Sequence, residues 1–189
     1  MSEVASIFER LSRNMETHGD FASEEDATAA VLRVLRENRK GWFGSIYREV
    51  RGAYRRIAPG TDVTKTPRID LVVMPSQVLM DAGWQVGPIF IEVKRSGLKL
   101  GPVVSQCMDY SNAVFEIKPG FWIEPQWVFC FPVGNPGGPI ASVMAQNRIG
   151  MAVISKWSGL RLSAGSECVL NEEHETVRVP KPGRKVGSR

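Results

Sequence analysis

Ile89-Phe90-Ile91-Glu92-Val93-Lys94 is the stretch on which the fold turns. Four apolar residues surround one carboxylate, and the run ends on an ammonium. Gly87-Pro88 leads into it and Gly97 closes it. Its length and its β-branched and aromatic content suit a strand rather than a helix. Side chains alternate along a strand, so Glu92 and Lys94 share one face while Val93 points to the other. Charges inside such an apolar run are costly unless paired or metal-bound. Two readings follow: an ion pair at a strand end, or a site. A second Glu-x-Lys, Glu116-Ile117-Lys118, is a control, because it reads as a helix end before Pro119, where charges sit in solvent.

Upstream, Ile69-Asp70-Leu71-Val72-Val73 reads as a strand with Pro67 just ahead of it, and Ile46 to Arg51 as a looser one. Neighbouring strands lie only about 4.8 Å apart. If the Asp70 strand pairs with the Glu92 strand, two carboxylates can share one hard cation, with water and phosphate oxygens completing its shell. A lysine beside them can orient water and stabilise charge developing on a phosphate. Downstream, Leu100 to Phe115 reads as a helix, with Pro102 tolerated in its first turn. Gln106 and Tyr110 lie about one turn apart on it. Without the preceding strand, a glutamine and a tyrosine there are ordinary boundary and core residues.

Further out, Ser23 is a good N-cap for a helix running to about Arg39, striped by Ala27, Val31, Val34 and Leu35. Residues 3–17 suit a short amphipathic helix, giving an N-terminal segment 1–19. Trp127 to Phe131 and Met151 to Ser155 read as strands, and Gly134 to Pro139 as a plain turn that lacks a phosphate-loop pattern. The order of helix, three strands, helix and strand predicts an α/β domain over 20–170, a mixed central β-sheet flanked by helices. Residues 171–189 read as a mobile basic tail.

The 189 residues are 43% hydrophobic and 23% charged, near the averages of globular proteins. Cys107, Cys130 and Cys168 form no Cys-x-x-Cys pair, which argues against a zinc ribbon or iron–sulfur cluster and suits a reducing cytosol. No apolar run approaches a membrane span, and the N-terminus does not read as a secretory signal. The expectation is a cytoplasmic protein without a membrane partner.

The net charge of +4 is unevenly spread. Residues 1–32 carry seven acids against Arg10 and Arg13, whereas 33–68 carry ten Lys/Arg against three acids. Such clustering suits an approach to phosphate from one side, and equally a solvated basic face. Arg48, Arg51, Arg55 and Arg56 are the candidate phosphate contacts. Trp42, Phe43, Tyr47 and Tyr54, interleaved with them, are either core residues or rings that stack on unpaired bases.

In that order and on those elements, Asp70, Glu92-x-Lys94 and Gln106-x-x-x-Tyr110 resemble the PD-(D/E)XK nuclease superfamily, and the last motif its RecB-like exonuclease branch. The resemblance covers roughly residues 23 to 133 and implies an αβββαβ, restriction-endonuclease-like core. It implies that Asp70 and Glu92 bind Mg²⁺, with Mn²⁺ able to substitute. By the same resemblance Lys94 positions the hydrolytic water, and Gln106 and Tyr110 support the site or the DNA strand. Ile69 stands where the family name has proline, and His18, the only histidine upstream, lies outside the helix that carries one in the RecB-like branch. Many members place a glutamate on the first core helix. Glu24 fits that place, although the helix dipole also favours an acid there. The expected function is a metal-dependent deoxyribonuclease acting in recombination, repair or defence. The alternative is a module of the same fold that binds nucleic acid or protein without cutting. RNA as substrate and a homo-oligomeric state both stay open.

Overall fold

The computed structural model describes residues 21–38, 40–55, 66–132, 138–155, 159–165, 167–172 and 174–180. The expected helix at 3–17, His18, Arg39, Arg56 and the last nine residues of the tail lie outside them.

The first helix, α1 (Glu24–Arg36), starts where the sequence predicts. The Ser23 hydroxyl accepts the Asp26 amide at 3.0 Å, and three acids in the first turn with Arg33 and Arg36 in the last complement the helix dipole. Strands β1 (Phe43–Tyr54) and β2 (Arg68–Pro75) follow, then the short α2 (Gln77–Asp81) and β3 (Ile89–Val93). Beyond them come α3 (Leu100–Ser111), β4 (Ala113–Lys118), β5 (Phe121–Ile123) and β6 (Val128–Phe131). The described chain closes with α4 (Gly138–Gln146), β7 (Ile149–Ser155), β8 (Gly159–Ala164), β9 (Glu167–Asn171) and β10 (Thr176–Val177).

All ten strands join one mixed sheet in the order β10-β9-β8-β7-β6-β3-β2-β1-β4-β5. Among the described residues only β3–β6 and β6–β7 are parallel; the other pairs run antiparallel. Both faces of its centre are covered. Ala27, Val31, Leu32 and Leu35 of α1 pack with Leu71, Ile89, Ile91 and Val93. Val103, Val104, Cys107 and Tyr110 of α3 pack with Val72, Phe90, Val128 and Cys130. Every residue of β3 and β6 is buried, as a strand enclosed on both faces requires. The alternation along β3 then places Glu92 with Phe90, on the α3 side.

Several boundaries depart from the sequence reading. The helix expected to reach Phe115 stops at Ser111, and Ala113–Lys118 is a strand. Burial there follows period two, with Ala113 and Phe115 inside and Glu116 and Lys118 outside, so pairing with β1 overrides helical continuation. The control motif Glu116-Ile117-Lys118 therefore lies on a strand, not at a helix end. The linker before Met151 contains α4, which begins at Gly138 within the stretch read as a turn. The sheet also runs on past residue 170: Thr176 and Val177 pair with Asn171 and Leu170. None of the described helices is long and apolar enough to cross a membrane.

Candidate active site

The register Leu71↔Ile91, Val72↔Phe90 and Val73↔Ile89, carried one step further, sets Asp70 opposite Glu92. The Val93 amide donates to Asp70 Oδ2 at 2.6 Å, which fixes that carboxyl at the end of the ladder. Lys94 lies just past β3, where its own amide bonds the Phe131 carbonyl at 2.6 Å. Its Nζ is 2.6 Å from Glu92 Oε1 and 3.5 Å from Glu24 Oε1, so the ammonium bridges the sheet and the first turn of α1. Glu92 is 1% exposed, and its Oε2 is buried without a hydrogen-bond partner.

Burial, joined by the nearby charge of Asp70 and opposed by Lys94, pushes Glu92 up to about 8. Burial also raises Asp70, against the lowering effects of the Val93 amide and Lys94. For Lys94, burial opposes its charge, but Glu92, Asp70 and Glu24 together outweigh it and the ammonium is held above its ordinary value. Two acids that resist ionising together, relieved by one cation, make a site with unspent capacity for positive charge.

On α3, Gln106 Nε2 donates to the Tyr110 hydroxyl at 2.6 Å, and that hydroxyl donates to the Arg68 carbonyl at 2.7 Å. Tyr110 is thus a strut between α3 and the start of β2, and burial with the charge of Glu92 holds its proton on. An open cavity of about 820 Å³, within the size range of ligand clefts, brings together Asp70, Glu92, Lys94, Glu24, Gln106 and Tyr110.

The arginines divide. Arg51 lines the cavity, whereas Arg48 is exposed on the same strand outside its lining. Arg55 pairs with Glu124 at 2.7 Å. Of the four aromatic residues, Trp42 and Phe43 are core, 4% and 9% exposed, so the stacking expectation fails at both. Tyr54 lines the cavity. The sequence reading missed Arg68 and Asp109, which also line it. Arg68 stands two residues before Asp70 on one strand, a spacing that put both on one face. Glu49, paired with Arg68 at 3.0 Å, has φ 53, a left-handed backbone inside a strand beside the site.

Among the described residues no group of three or more His, Cys, Asp or Glu side chains is placed to hold a metal. Asp70 and Glu92 face each other across the ladder, a carboxylate pair whose chemistry suits a hard cation, and Glu92 Oε2 is buried without a hydrogen-bond partner. No family model, no curated protein and no solved structure matches this chain.

Proposed function

We propose that this chain is a metal-dependent nuclease of the PD-(D/E)XK type that hydrolyses DNA phosphodiester bonds. The observation carrying this reading is that Asp70, Glu92 and Lys94 converge at one cavity that Arg51 and Arg68 also line. The order α1, β1, β2, β3, α3 and β6, with β6 parallel to β3 and with α2 and the β4–β5 hairpin inserted, supports a restriction-endonuclease-like core. Asp70 and Glu92 are the residues that would hold Mg²⁺, with Mn²⁺ as substitute. When bound, such a cation polarises a phosphate oxygen and lowers the pKa of water.

The chain's own residues do the rest. The Val93 amide keeps Asp70 from rotating. Lys94, restrained on two sides by carboxylates, presents an ammonium that orients water and offsets charge on the phosphate in the transition state. Tyr110, pinned by Gln106 and the Arg68 carbonyl, holds α3 against β2. Arg51 and Arg68 receive backbone phosphates.

One contact favours the second reading, a module that binds nucleic acid or protein without cutting: the Lys94 ammonium already sits 2.6 Å from Glu92 Oε1, where a second cation would compete with it. Titrating Mg²⁺ and Mn²⁺ against labelled single- and double-stranded DNA, linear and circular, separates the two. Cutting that Asp70→Ala and Lys94→Ala each reduce by roughly 100-fold or more, with DNA binding kept, supports the nuclease. DNA left intact at every metal concentration, by protein that binds it, establishes the non-cutting module.

A further inference from the structure

Among the described residues three besides glycine have a left-handed backbone: Arg148 and Glu175 stand in turns, and Glu49, at φ 53, alone lies inside a strand. The register shows what this backbone does. Arg48↔Leu71 and Val50↔Ile69 flank Glu49, yet Tyr47 and Val50, three residues apart, pack against the same buried cluster. Strict alternation would send them to opposite sides, so β1 changes its inward side at Glu49. Such a backbone is cheapest for glycine and tolerable for asparagine, whereas a glutamate is strained in it. What the glutamate adds over a glycine is its carboxylate.

That carboxylate meets Arg68 Nε at 3.0 Å, with both side chains more than half in solvent. An ion pair so exposed contributes less to folding than the strain costs, so stability does not explain the glutamate. The cavity does. Arg68 lines it, two residues before Asp70 and directly opposite Arg51, which lines it too. Cross-strand partners project to one side, and like charges there repel. A carboxylate on one of the two arginines offsets that repulsion. A guanidinium gripped at Nε also keeps its outer edge, between the two Nη groups, for an end-on contact with two oxygens of one phosphate.

We infer that Glu49 is a positioning residue: it fixes the Arg68 guanidinium beside Arg51, so that the two form a subsite for the phosphate next to the one at Asp70 and Glu92. The inference rests on the nucleic-acid reading of the cavity but not on cutting. Its sign is opposite to that of simple electrostatics. An acid near a polyanion weakens binding, and its removal strengthens it. An acid that preorganises an arginine strengthens binding, because without it the side chain loses its rotamer freedom only on contact.

Affinity for a fluorescent single-stranded oligonucleotide is measured in EDTA, with the full chain. Glu49→Ala and Glu49→Gln each remove one negative charge, but only glutamine keeps an oxygen that accepts from Arg68 Nε. Glu49→Ala weakens binding by roughly three-fold or more, whereas Glu49→Gln stays within about two-fold of the parent. In an Arg68→Gln background the two variants bind alike. If melting shows that Glu49→Ala does not fold, Glu49→Gly, which suits the backbone, takes its place. Equal affinities of the alanine and glutamine variants, or tightening by both, overturn the positioning role. So does an alanine effect that survives Arg68→Gln. Affinity that falls with Arg68→Gln but not with Glu49→Ala sinks this inference alone; a parent chain that binds no DNA sinks the nucleic-acid reading and this inference with it.

Discussion

Glu92 concentrates the tension of the site. It is buried, faces Asp70 across the ladder, lines the cavity and has one oxygen without a hydrogen-bond partner. Since burial and Asp70 hold it up at about 8, the folded chain keeps a proton there between the ordinary glutamate range and pH 8, whereas the unfolded chain has released it. Stability from this group is therefore complete at low pH and falls as pH rises through that window. Glu92→Gln preserves shape and removes the titration. In metal-free buffer its Tm should exceed the parent's at pH 9 by roughly 3 °C or more, with the gap closing toward pH 5. Matching melting curves at pH 9 would show that Lys94 already compensates the carboxylate in full. Asp70, Glu92 and Lys94 were legible in the sequence because charge inside a β-patterned apolar run is rare and alternation fixes its face. Arg68 was equally accessible by alternation from Asp70. The Tyr110 hydroxyl bond to the Arg68 carbonyl was not, since it depends on how α3 docks.

Elements differ in how plainly their residues declare them. α1 carries its cap, charges and apolar stripe in order, and β3 is a simple apolar run, so both appear where expected. β4 escapes because Ala113-Val114-Phe115 continues the helical pattern of α3 smoothly, and only pairing with β1 selects the strand. β8 to β10 are interrupted by Gly159, Ser163 and Gly165, and their partners are each other, which local pattern does not reveal. The β1–β4 junction offers a direct test. A Cβ at Gly52 would lie 2.4 Å from the Val114 carbonyl oxygen and 2.9 Å from the Phe115 ring. Gly52→Ala should cost on the order of 2 kcal/mol in urea unfolding. Unchanged stability would mean that the two strands separate at no cost.

Across the whole molecule, the charge that counts is local rather than net. Glu124 pairs with Arg55 and Glu49 with Arg68; Arg68 and Arg51 both line the cavity, and Arg51 enters no ion pair among the described residues. On the nucleic-acid reading, Arg51→Gln should lower the steepness of log affinity against log salt by about 0.7 for single-stranded DNA, while Arg48→Gln, outside the cavity, changes it less. Fluorescence titration across a range of salt concentrations measures both slopes; an unaltered slope for Arg51→Gln removes that residue from the phosphate path.

Among the described residues, the outermost strands, β5 and β10, contain three and two residues. A sheet ten strands wide would ordinarily tempt other chains to add to it, because free amides and carbonyls along a margin act as a template for growth. Margins this brief offer too few such groups to nucleate addition. The breadth that lets this sheet carry a cavity in its middle therefore brings little of the self-association that long open margins invite.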